Sequence, residues 1–385
     1  AYEIAQCLVG SEMCTRDRDG TMPKGANVKY NGEDVFAPAI EIGENTLGSS
    51  KITKLYVPET YKLIADRAFK GRDTLEAVSF INVDGETENN GSELVAIGDE
   101  AFAECSSLKK AILPTKLLSI SDNFLSNYSM VSERPMGSQV YRNCKAINSV
   151  FIDAENENIV IPKELFAGCE NISSINIKAK YAIICEGAFS GAGANALKDF
   201  VLNCDAKIGS YAFSNNSSLE RVVFNGQIDF EELDSKSSYT ESKAVFYKSF
   251  LQKSGRETSV EFNGNTKVKL PEKCFSSTGY LNKIVYGDKV EYIQIGAYVF
   301  EDTGIGDLDF TGKKLYVVDN GLAGLTNTKA ISFNSTDSTY LYANAFGTNV
   351  NTEISTNKIS TVNKITVNSK TVKLCSFESV EDGAE

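Results

Sequence analysis

The stretch of sequence that decides the fold runs from Ile97 to Leu113 and reads IGDEAFAECSSLKKAIL. Its first half places an apolar residue, Ile97, five positions before an aromatic residue, Phe102. Its second half runs through Cys105 and Leu108 into a short segment in which apolar residues recur at every second position. A period of two is typical of a β-strand with one buried face. The stretch therefore predicts one turn of chain followed by one short strand.

The same unit recurs along most of the chain. Its first half is clearest in four further stretches, Ile64 to Phe69, Ile161 to Phe166, Ile184 to Phe189 and Ile208 to Phe213. Its second half recurs as apolar triplets with the spacing L-x-x-V-x-F, of which the chain holds 12. Their middle residues are Leu55, Val78, Ala111, Val150, Ile175, Phe200, Val222, Val260, Ile284, Leu308, Ile331 and Ile365. A repeat of this kind determines the whole fold and is considered before any other feature.

The distance between successive triplets gives the repeat length. The step is 22 to 25 residues wherever nothing is inserted, and four steps are longer, at 33 to 39 residues. One unit of this size cannot bury its own apolar face, so the units stack and cover one another. A period in the twenties is typical of leucine-rich solenoids. We therefore predict a right-handed leucine-rich repeat solenoid of about 12 coils. A parallel β-sheet is expected along one face, with short strands, turns and 3-10 segments on the other.

The repeat also suggests the domain boundaries. Residues 1–41 carry no repeat and are predicted to form an N-terminal cap, because the open end of a solenoid needs a polar cover. The solenoid is predicted over 42–368, and 369–385 are predicted to form a C-terminal cap and an acidic tail. The four long steps hold polar insertions, near 82–93, 127–139, 229–243 and 347–360. Such insertions are binding loops in some solenoids and tolerated excursions in others, and both interpretations stay open.

The stretch from Ile97 to Pro114 resembles the BspA-like leucine-rich repeat family, also called the Treponema pallidum type, almost position by position. Ile64 to Phe80 and Ile161 to Ile177 resemble it well, and the resemblance covers about 42–368. Members of that family are mostly secreted or cell-surface proteins, and several are linked to adhesion. The resemblance implies a secreted or surface location and an extracellular protein or glycan as partner. It does not identify the ligand, because function depends on sites rather than on folds.

Composition argues against several classes of function. The net charge is −12, whereas binding of nucleic acid needs a basic footprint. The chain has no histidine, which excludes Ser–His and Cys–His nucleophile pairs and the usual histidine-containing zinc sites. No apolar run approaches the length of a membrane-spanning helix. We therefore expect no nucleic-acid partner, no cofactor, no metal and no membrane span in this chain.

The cysteines follow the repeat rather than a disulfide pattern. Cys105, Cys144 and Cys169 occupy the same position in consecutive units, three residues after the aromatic position. Because a free cysteine behaves as a small apolar residue, we predict that all three are buried thiols. Whether Cys7 and Cys14 form a disulfide depends on the compartment and stays open.

Outward positions of the predicted strands supply the candidate binding residues. Apolar and aromatic residues at these positions cluster in the middle of the chain, and apolar patches on a protein surface often mark interaction sites. The candidates are Ile112, Phe151, Val201, Val223, Tyr56 and Arg221. The competing interpretation is that valine, isoleucine and phenylalanine occur here because they favour strands.

Three functions are compatible with these features. The first is a non-enzymatic surface protein that binds a macromolecule in adhesion or host interaction, and the second is a structural spacer without a ligand. The third is a glycoside hydrolase, which needs only two carboxylates and no histidine. Its candidate carboxylates are Glu261, Asp307 and Asp309. A pocket that gathers them and raises a carboxylate pKa would favour the hydrolase.

Overall fold

The computed structural model describes residues 19–21, 25–30, 33–38, 41–47, 51–81, 88–89, 91, 93–121, 135–230, 244–342, 344–347 and 364–375. The chain forms two compact units, Ala1–Leu197 and Lys198–Glu385. Both units consist of strands and tight turns, and the only helix of the described part has four residues. Cys7, Cys14, the acidic tail and most of the insertions lie outside the described residues.

The first unit is a stack of coils built from two rows of parallel strands. Its elements are β1 Asp19–Thr21, β2 Gly25–Tyr30, β3 Glu33–Pro38, β4 Glu41–Ile42, β5 Lys54–Pro58, β6 Leu63–Ile64, β7 Ala77–Ile81, β8 Glu88–Asn89, β9 Ala96–Ile97, α1 Thr115–Leu118, β10 Ser119–Ile120, β11 Ser149–Ile161 and β12 Ser174–Ile184. One row contains β1, β5 and β7, and the other contains β4, β6 and β9. The long strands β11 and β12 pair in parallel along both halves of their length. The hairpin β2–β3 is antiparallel, as are β8 on β7 and β10 on β11.

The second unit repeats the same construction. Its strands are β13 Asp199–Leu202, β14 Asp205–Ile208, β15 Arg221–Phe224, β16 Ile228–Asp229, β17 Ser259–Phe262, β18 Lys267–Leu270, β19 Lys283–Tyr286, β20 Tyr292–Ile295, β21 Leu308–Val317, β22 Ala330–Tyr342, β23 Lys364–Asn368 and β24 Thr371–Cys375. The predicted triplets form the parallel order β13–β15–β17–β19. The second row runs in parallel from β18 through β20 and β21 to β22. Both β23 and β24 pair in parallel with β22, β23 with its first half and β24 with its second half.

An aromatic side chain closes nine of the coils, as the repeat predicts, and Leu322 fills the same position in another. In the first unit the rings of Phe69, Phe102, Tyr141, Phe166 and Phe189 stack in a column, with neighbouring centroids 5.0 to 5.7 Å apart. In the second unit the column contains Phe213, Phe246, Phe275 and Phe300, at 5.4 to 6.0 Å. All nine rings are fully buried. The leucine-rich solenoid is therefore confirmed within each unit, and the aromatic residues form its interior.

The turns that carry the aromatic rings have an unusual backbone. Glu100 and Glu104, two residues before and after Phe102, have φ angles of 53° and 63°, in the left-handed region. The N–H groups of these three residues all point the same way and donate to carbonyl groups of the next coil. The acceptors are Ser138, Val140 and Arg142, at 2.7 to 2.9 Å. These hydrogen bonds satisfy the N–H groups of the turn although the turn is not a strand. The sequence did not predict this ladder of hydrogen bonds.

One predicted strand does not form. The triplet around Ala111 lies in irregular backbone, and its burial is reversed, because Ile112 is buried while Ala111 and Leu113 are half-buried. The N–H of Ile112 donates to the hydroxyl of Tyr141 at 2.9 Å, and that hydroxyl donates to the carbonyl of Ile112 at 2.6 Å. The tyrosine therefore occupies both backbone groups that a strand would use. The predicted strand is present in the other triplets, four in the first unit and seven in the second.

The predicted insertion near 127–139 overlaps the start of the next coil. Met136 is fully buried and forms a parallel bridge with Ile97, so it begins the next coil, which continues to Tyr141. Phe246 similarly belongs to the aromatic column of the second unit, although no copy of the first half was predicted there. Both copies depart from the I-x-x-x-A-F pattern, which is why the sequence did not reveal them.

The three phased cysteines are buried thiols, as predicted. Each Sγ donates to the carbonyl of the aromatic residue in the preceding coil, at 3.0 Å: Cys105 to Phe69, Cys144 to Phe102 and Cys169 to Tyr141. Burial raises the pKa of all three thiols, to about 12 for Cys105 and for Cys169. These cysteines therefore hold neighbouring coils together and are poor nucleophiles.

Candidate partner-binding face

We call the outward side chains of the triplet strands the triplet face. In the first unit Phe151 is 56% exposed, and the Nζ of Lys178 lies 5.7 Å from the centroid of its ring. Tyr56 is half-buried on β5, opposite Ser79 of β7. The expectation that Ile112 faces solvent is wrong, because it is only 9% exposed and its strand does not form. The triplet face of this unit therefore presents one well-exposed candidate, Phe151.

In the second unit three candidates come together on β13 and β15. Val201 is 37% exposed and lies directly opposite Val223. Val223 is only 3% exposed, so the expectation that it faces solvent is also wrong. Arg221 lies two residues before Val223 and forms two hydrogen bonds with Glu261, at 2.6 and 2.9 Å. Glu261 is paired in register with Val223, which places this ion pair directly beside the valine.

Further charged side chains lie near this ion pair and form a network with one another. Arg256 donates to the carboxylate of Asp199 at 2.7 Å and also bonds Glu220. The Nζ of Lys198 lies 3.0 Å from Oε1 of Glu220, whereas Arg256 bonds Oε2 of the same carboxylate. Sequence analysis named Arg221 but missed its partners. The sequence did hold a signal for this network: Asp199, Arg221 and Glu261 carry charges of alternating sign at outward positions of successive units.

Two glutamates of this network, Glu220 and Glu261, have a lowered pKa, which favours their ionised form. The hydrogen bond from Arg221 lowers the pKa of Glu261, and bonds from Lys198 and Arg256 lower that of Glu220. Their side chains are only 17% and 13% exposed, so the cations shield them from water. Fixed, satisfied charges of this kind orient a partner more than they add affinity.

Amide side chains form a second ordered row on the triplet face. The Asn225 amide donates to the side-chain oxygen of Asn203 at 2.7 Å, and the Asn263 amide donates to Asn225 at 3.3 Å. Asn368 and Asn334 repeat the pattern at 2.8 Å. These asparagine side chains therefore bond one another from coil to coil at the strand ends.

The proposed hydrolase carboxylates have structural partners. Asp307 accepts hydrogen bonds from the N–H groups of Lys329 and Ala330, and Asp309 accepts one from Asn334 at 2.6 Å. Glu261 is bound to Arg221, which lowers its pKa. A general acid needs the opposite shift, because it must hold a proton near neutral pH. The arrangement therefore does not favour acid–base chemistry by these three residues.

Among the residues that the structure describes, no three carboxylate or thiol groups lie close enough together to hold a metal ion. No helix there is long and apolar enough to cross a membrane.

Comparison with solved structures finds several repeat proteins. A leucine-rich cell-surface protein of Faecalibacterium prausnitzii is 15% identical, with 92% of this chain and 88% of that chain covered and a TM-score of 0.42. A leucine-rich repeat protein of Bacteroides ovatus is 18% identical, with 90% and 91% covered and a TM-score of 0.40. The pneumococcal vaccine antigen PcpA is 14% identical, with 90% and 88% covered and a TM-score of 0.35. No curated protein gives a significant match.

Comparison with protein families gives one match that spans most of the chain. The sequence model described as the BspA type leucine-rich repeat region matches in six copies. The matched residues are 40–133, 134–239 and 242–379.

Proposed function

Because the chain belongs to the BspA-type leucine-rich repeat family, we propose that it is a non-catalytic protein of the cell surface or of the secreted fraction. It binds an extracellular macromolecule, a protein in the first instance, through its triplet face. Adhesion to a host or to a neighbouring cell is the role that fits such binding. The family membership supports the surface role, and the side chains of the triplet face support the binding role.

The observation that carries this proposal is the surroundings of Val201. It is 37% exposed, and a charge network lies on or next to β13, β15 and β17; its members are Asp199, Glu220, Arg221, Arg256 and Glu261. An apolar contact residue surrounded by charges with fixed partners is the usual arrangement of a protein interface, which has an apolar centre and a polar rim. Arginine is also enriched among the residues that dominate binding energy.

The test is binding to a panel of purified extracellular-matrix proteins with matched variants. Val201→Asp places a charge on β13, in the apolar contact next to Val223 and the charge network. Val372→Asp is the control, because Val372 is similarly exposed, at 47%, but lies on β24. We expect Val201→Asp to weaken binding about tenfold or more, as loss of a dominant interface contact does, and the control to leave it unchanged. Equal affinity of both variants would contradict the proposal.

A structural spacer remains the second candidate. It is favoured by the amide row and the charge network, because both already have partners within the chain. A spacer predicts no saturable binding to any member of the panel, with or without the substitution at Val201. Saturable binding that Val201→Asp weakens would exclude it.

A further inference from the structure

The second unit has another outward face, on the strand row that follows the triplets. It consists of β18, β20, the C-terminal halves of β21 and β22, and β24. Alternation leaves Tyr292, Lys314, Tyr316 and Tyr340 half-buried on the outer side, whereas Ile293, Leu315, Val317 and Leu341 are buried beneath them. Lys267 and Lys373 are exposed at the two ends. We call these six outward residues, Lys267, Tyr292, Lys314, Tyr316, Tyr340 and Lys373, the lysine–tyrosine strip.

The strip differs in charge from the rest of the protein. The segments that form it read KVKL at 267–270, YIQI at 292–295, KLYV at 314–317, STYLY at 338–342 and TVKLC at 371–375. They contain no aspartate or glutamate, although the chain as a whole has a net charge of −12. Within the described part of the chain, Lys267, Lys314 and Lys373 have no carboxylate partner. The strip is therefore a local positive surface.

Register places the outward residues of this surface in two lines. In one line Lys267 is opposite Tyr292, which is opposite Lys314. The other line begins with Lys269 and Gln294 and continues through Tyr316 and Tyr340 to Lys373. Because strands are about 4.8 Å apart, Lys267 and Lys314 lie two strands, or ~10 Å, from each other. The surface therefore combines spaced lysines with neighbouring tyrosines.

The tyrosine rings pack against one another rather than against solvent. Tyr292 and Tyr316 have centroids 4.9 Å apart, and Tyr316 and Tyr340 are stacked at 4.3 Å with an interplanar angle of 2°. The Nζ of Lys373 lies 5.1 Å from the Tyr340 ring and covers the end of the stack. The Tyr292 hydroxyl donates to the side-chain oxygen of Gln294 at 3.0 Å, and the side chain of Tyr316 is hydrogen-bonded to that of Tyr340. A hydroxyl that donates keeps lone pairs that can accept a hydrogen bond from a sugar hydroxyl. The surface therefore offers ring edges and hydrogen-bond acceptors close to ammonium groups.

From this geometry we propose that the strip binds a linear anionic polysaccharide. Such a polymer carries negative groups at regular intervals and many hydroxyls between them, and so it matches a surface on which spaced ammonium groups lie beside phenol groups. The carboxylate of a uronate sugar and a sulfate ester share the chemistry that lysine recognises. This site goes beyond the proposed protein-binding function and lies on a different row of strands.

The experiment measures binding of the full chain to four polymers by titration calorimetry at low and at physiological salt. Polygalacturonate carries only carboxylates, heparin carries sulfates as well, dextran is neutral, and polyglutamate carries carboxylates on a peptide. We expect binding to at least one of the two anionic polysaccharides, weaker at higher salt because these charges are exposed, and none to dextran. The stronger anionic polysaccharide identifies which group the strip prefers.

Matched variants locate the site. The triple variant Lys267→Gln, Lys314→Gln and Lys373→Gln should weaken binding about tenfold, since each exposed ion pair contributes modestly. Its control, Lys253→Gln, Lys283→Gln and Lys289→Gln, removes the same charge at exposed positions outside the strip and should change the affinity less than about twofold. The double variant Tyr316→Phe and Tyr340→Phe keeps the stack but removes two hydroxyls, and should weaken binding about two- to tenfold.

Three results would overturn the proposal. They are the absence of binding to both anionic polysaccharides, an equal loss in the lysine control, and equally tight binding of polyglutamate, which would point to an acidic peptide instead. Val201→Asp should leave polysaccharide binding unchanged. Failure of the protein-binding proposal and failure of this one are therefore distinguishable.

Discussion

Removal of the Tyr141 hydroxyl tests what holds the coil that contains Ile112 in place. Tyr141 is fully buried, and its hydroxyl is bonded to both the N–H and the carbonyl of Ile112, at 2.9 and 2.6 Å. Tyr141→Phe keeps the ring in the column between Phe102 and Phe166 and removes only these two bonds. Two buried backbone groups are then left without a partner, at about 1–3 kcal/mol each, so we expect a loss of about 2–6 kcal/mol in the free energy of unfolding.

The measurement is urea unfolding of the full chain, together with hydrogen exchange of a peptide that covers Ile112. We expect the unfolding midpoint of Tyr141→Phe to fall and the Ile112 amide to exchange much faster than in the parent protein. The exchange result is specific, because it reports on one of the two groups that lose their partner.

The matched control is Tyr286→Phe in the second unit. The ring of Tyr286 stacks on Phe262, but among the described residues its hydroxyl is buried without a hydrogen-bond partner. Its removal should be neutral or stabilise the protein by about 1 kcal/mol, since an unsatisfied polar atom is lost. If Tyr141→Phe were as stable as Tyr286→Phe and left Ile112 protected, our account of the missing strand would be refuted.

Two further predictions concern single groups. Cys105, Cys144 and Cys169 should not react with a thiol reagent in the folded protein and should react on unfolding, because burial raises the pKa of each thiol; modification in native buffer would contradict their assignment as inter-coil contacts. Arg221→Gln should raise the pKa of Glu261 towards its ordinary value, as followed by carboxyl NMR. Because the folded pKa is lowered by Arg221, the stabilisation is present at neutral pH and is lost as the pH falls through that pKa. The variant should therefore be less stable by about 1 kcal/mol or less at pH 7 and equal to the parent in acid, and an unchanged difference at all pH values would contradict this.

The sequence predicted the interior of each coil because its requirements are local. Phe102, Phe166 and Phe189 recur at one position of the repeat and form one column with Phe69 and Tyr141. Cys144 and Cys169 follow the same phase and pack where the phase places them. A position that every coil must fill with a side chain of similar size leaves a periodic signal.

The candidate face was harder to predict, because exposure depends on neighbours far apart in sequence. Ile112 is inward because a tyrosine 29 residues later takes its backbone groups. Val223 is buried beside an ion pair that joins Arg221 to a residue 40 positions away. The lysine–tyrosine strip was not predicted at all, because its strands have no fixed pattern of outward residues. Alternation predicts which side chains point outward, but not what then covers them.

The central claim is that coils of two dozen residues or more stack with their aromatic side chains one above another. Nuclear Overhauser effects between selectively labelled aromatic rings test it most directly. We predict contacts in the first unit from Phe69 to Phe102, to Tyr141, to Phe166 and to Phe189, in that order and with no ring skipped. Absence of the contact between Phe102 and Tyr141, or between Tyr141 and Phe166, in folded protein would contradict the stacked-coil architecture.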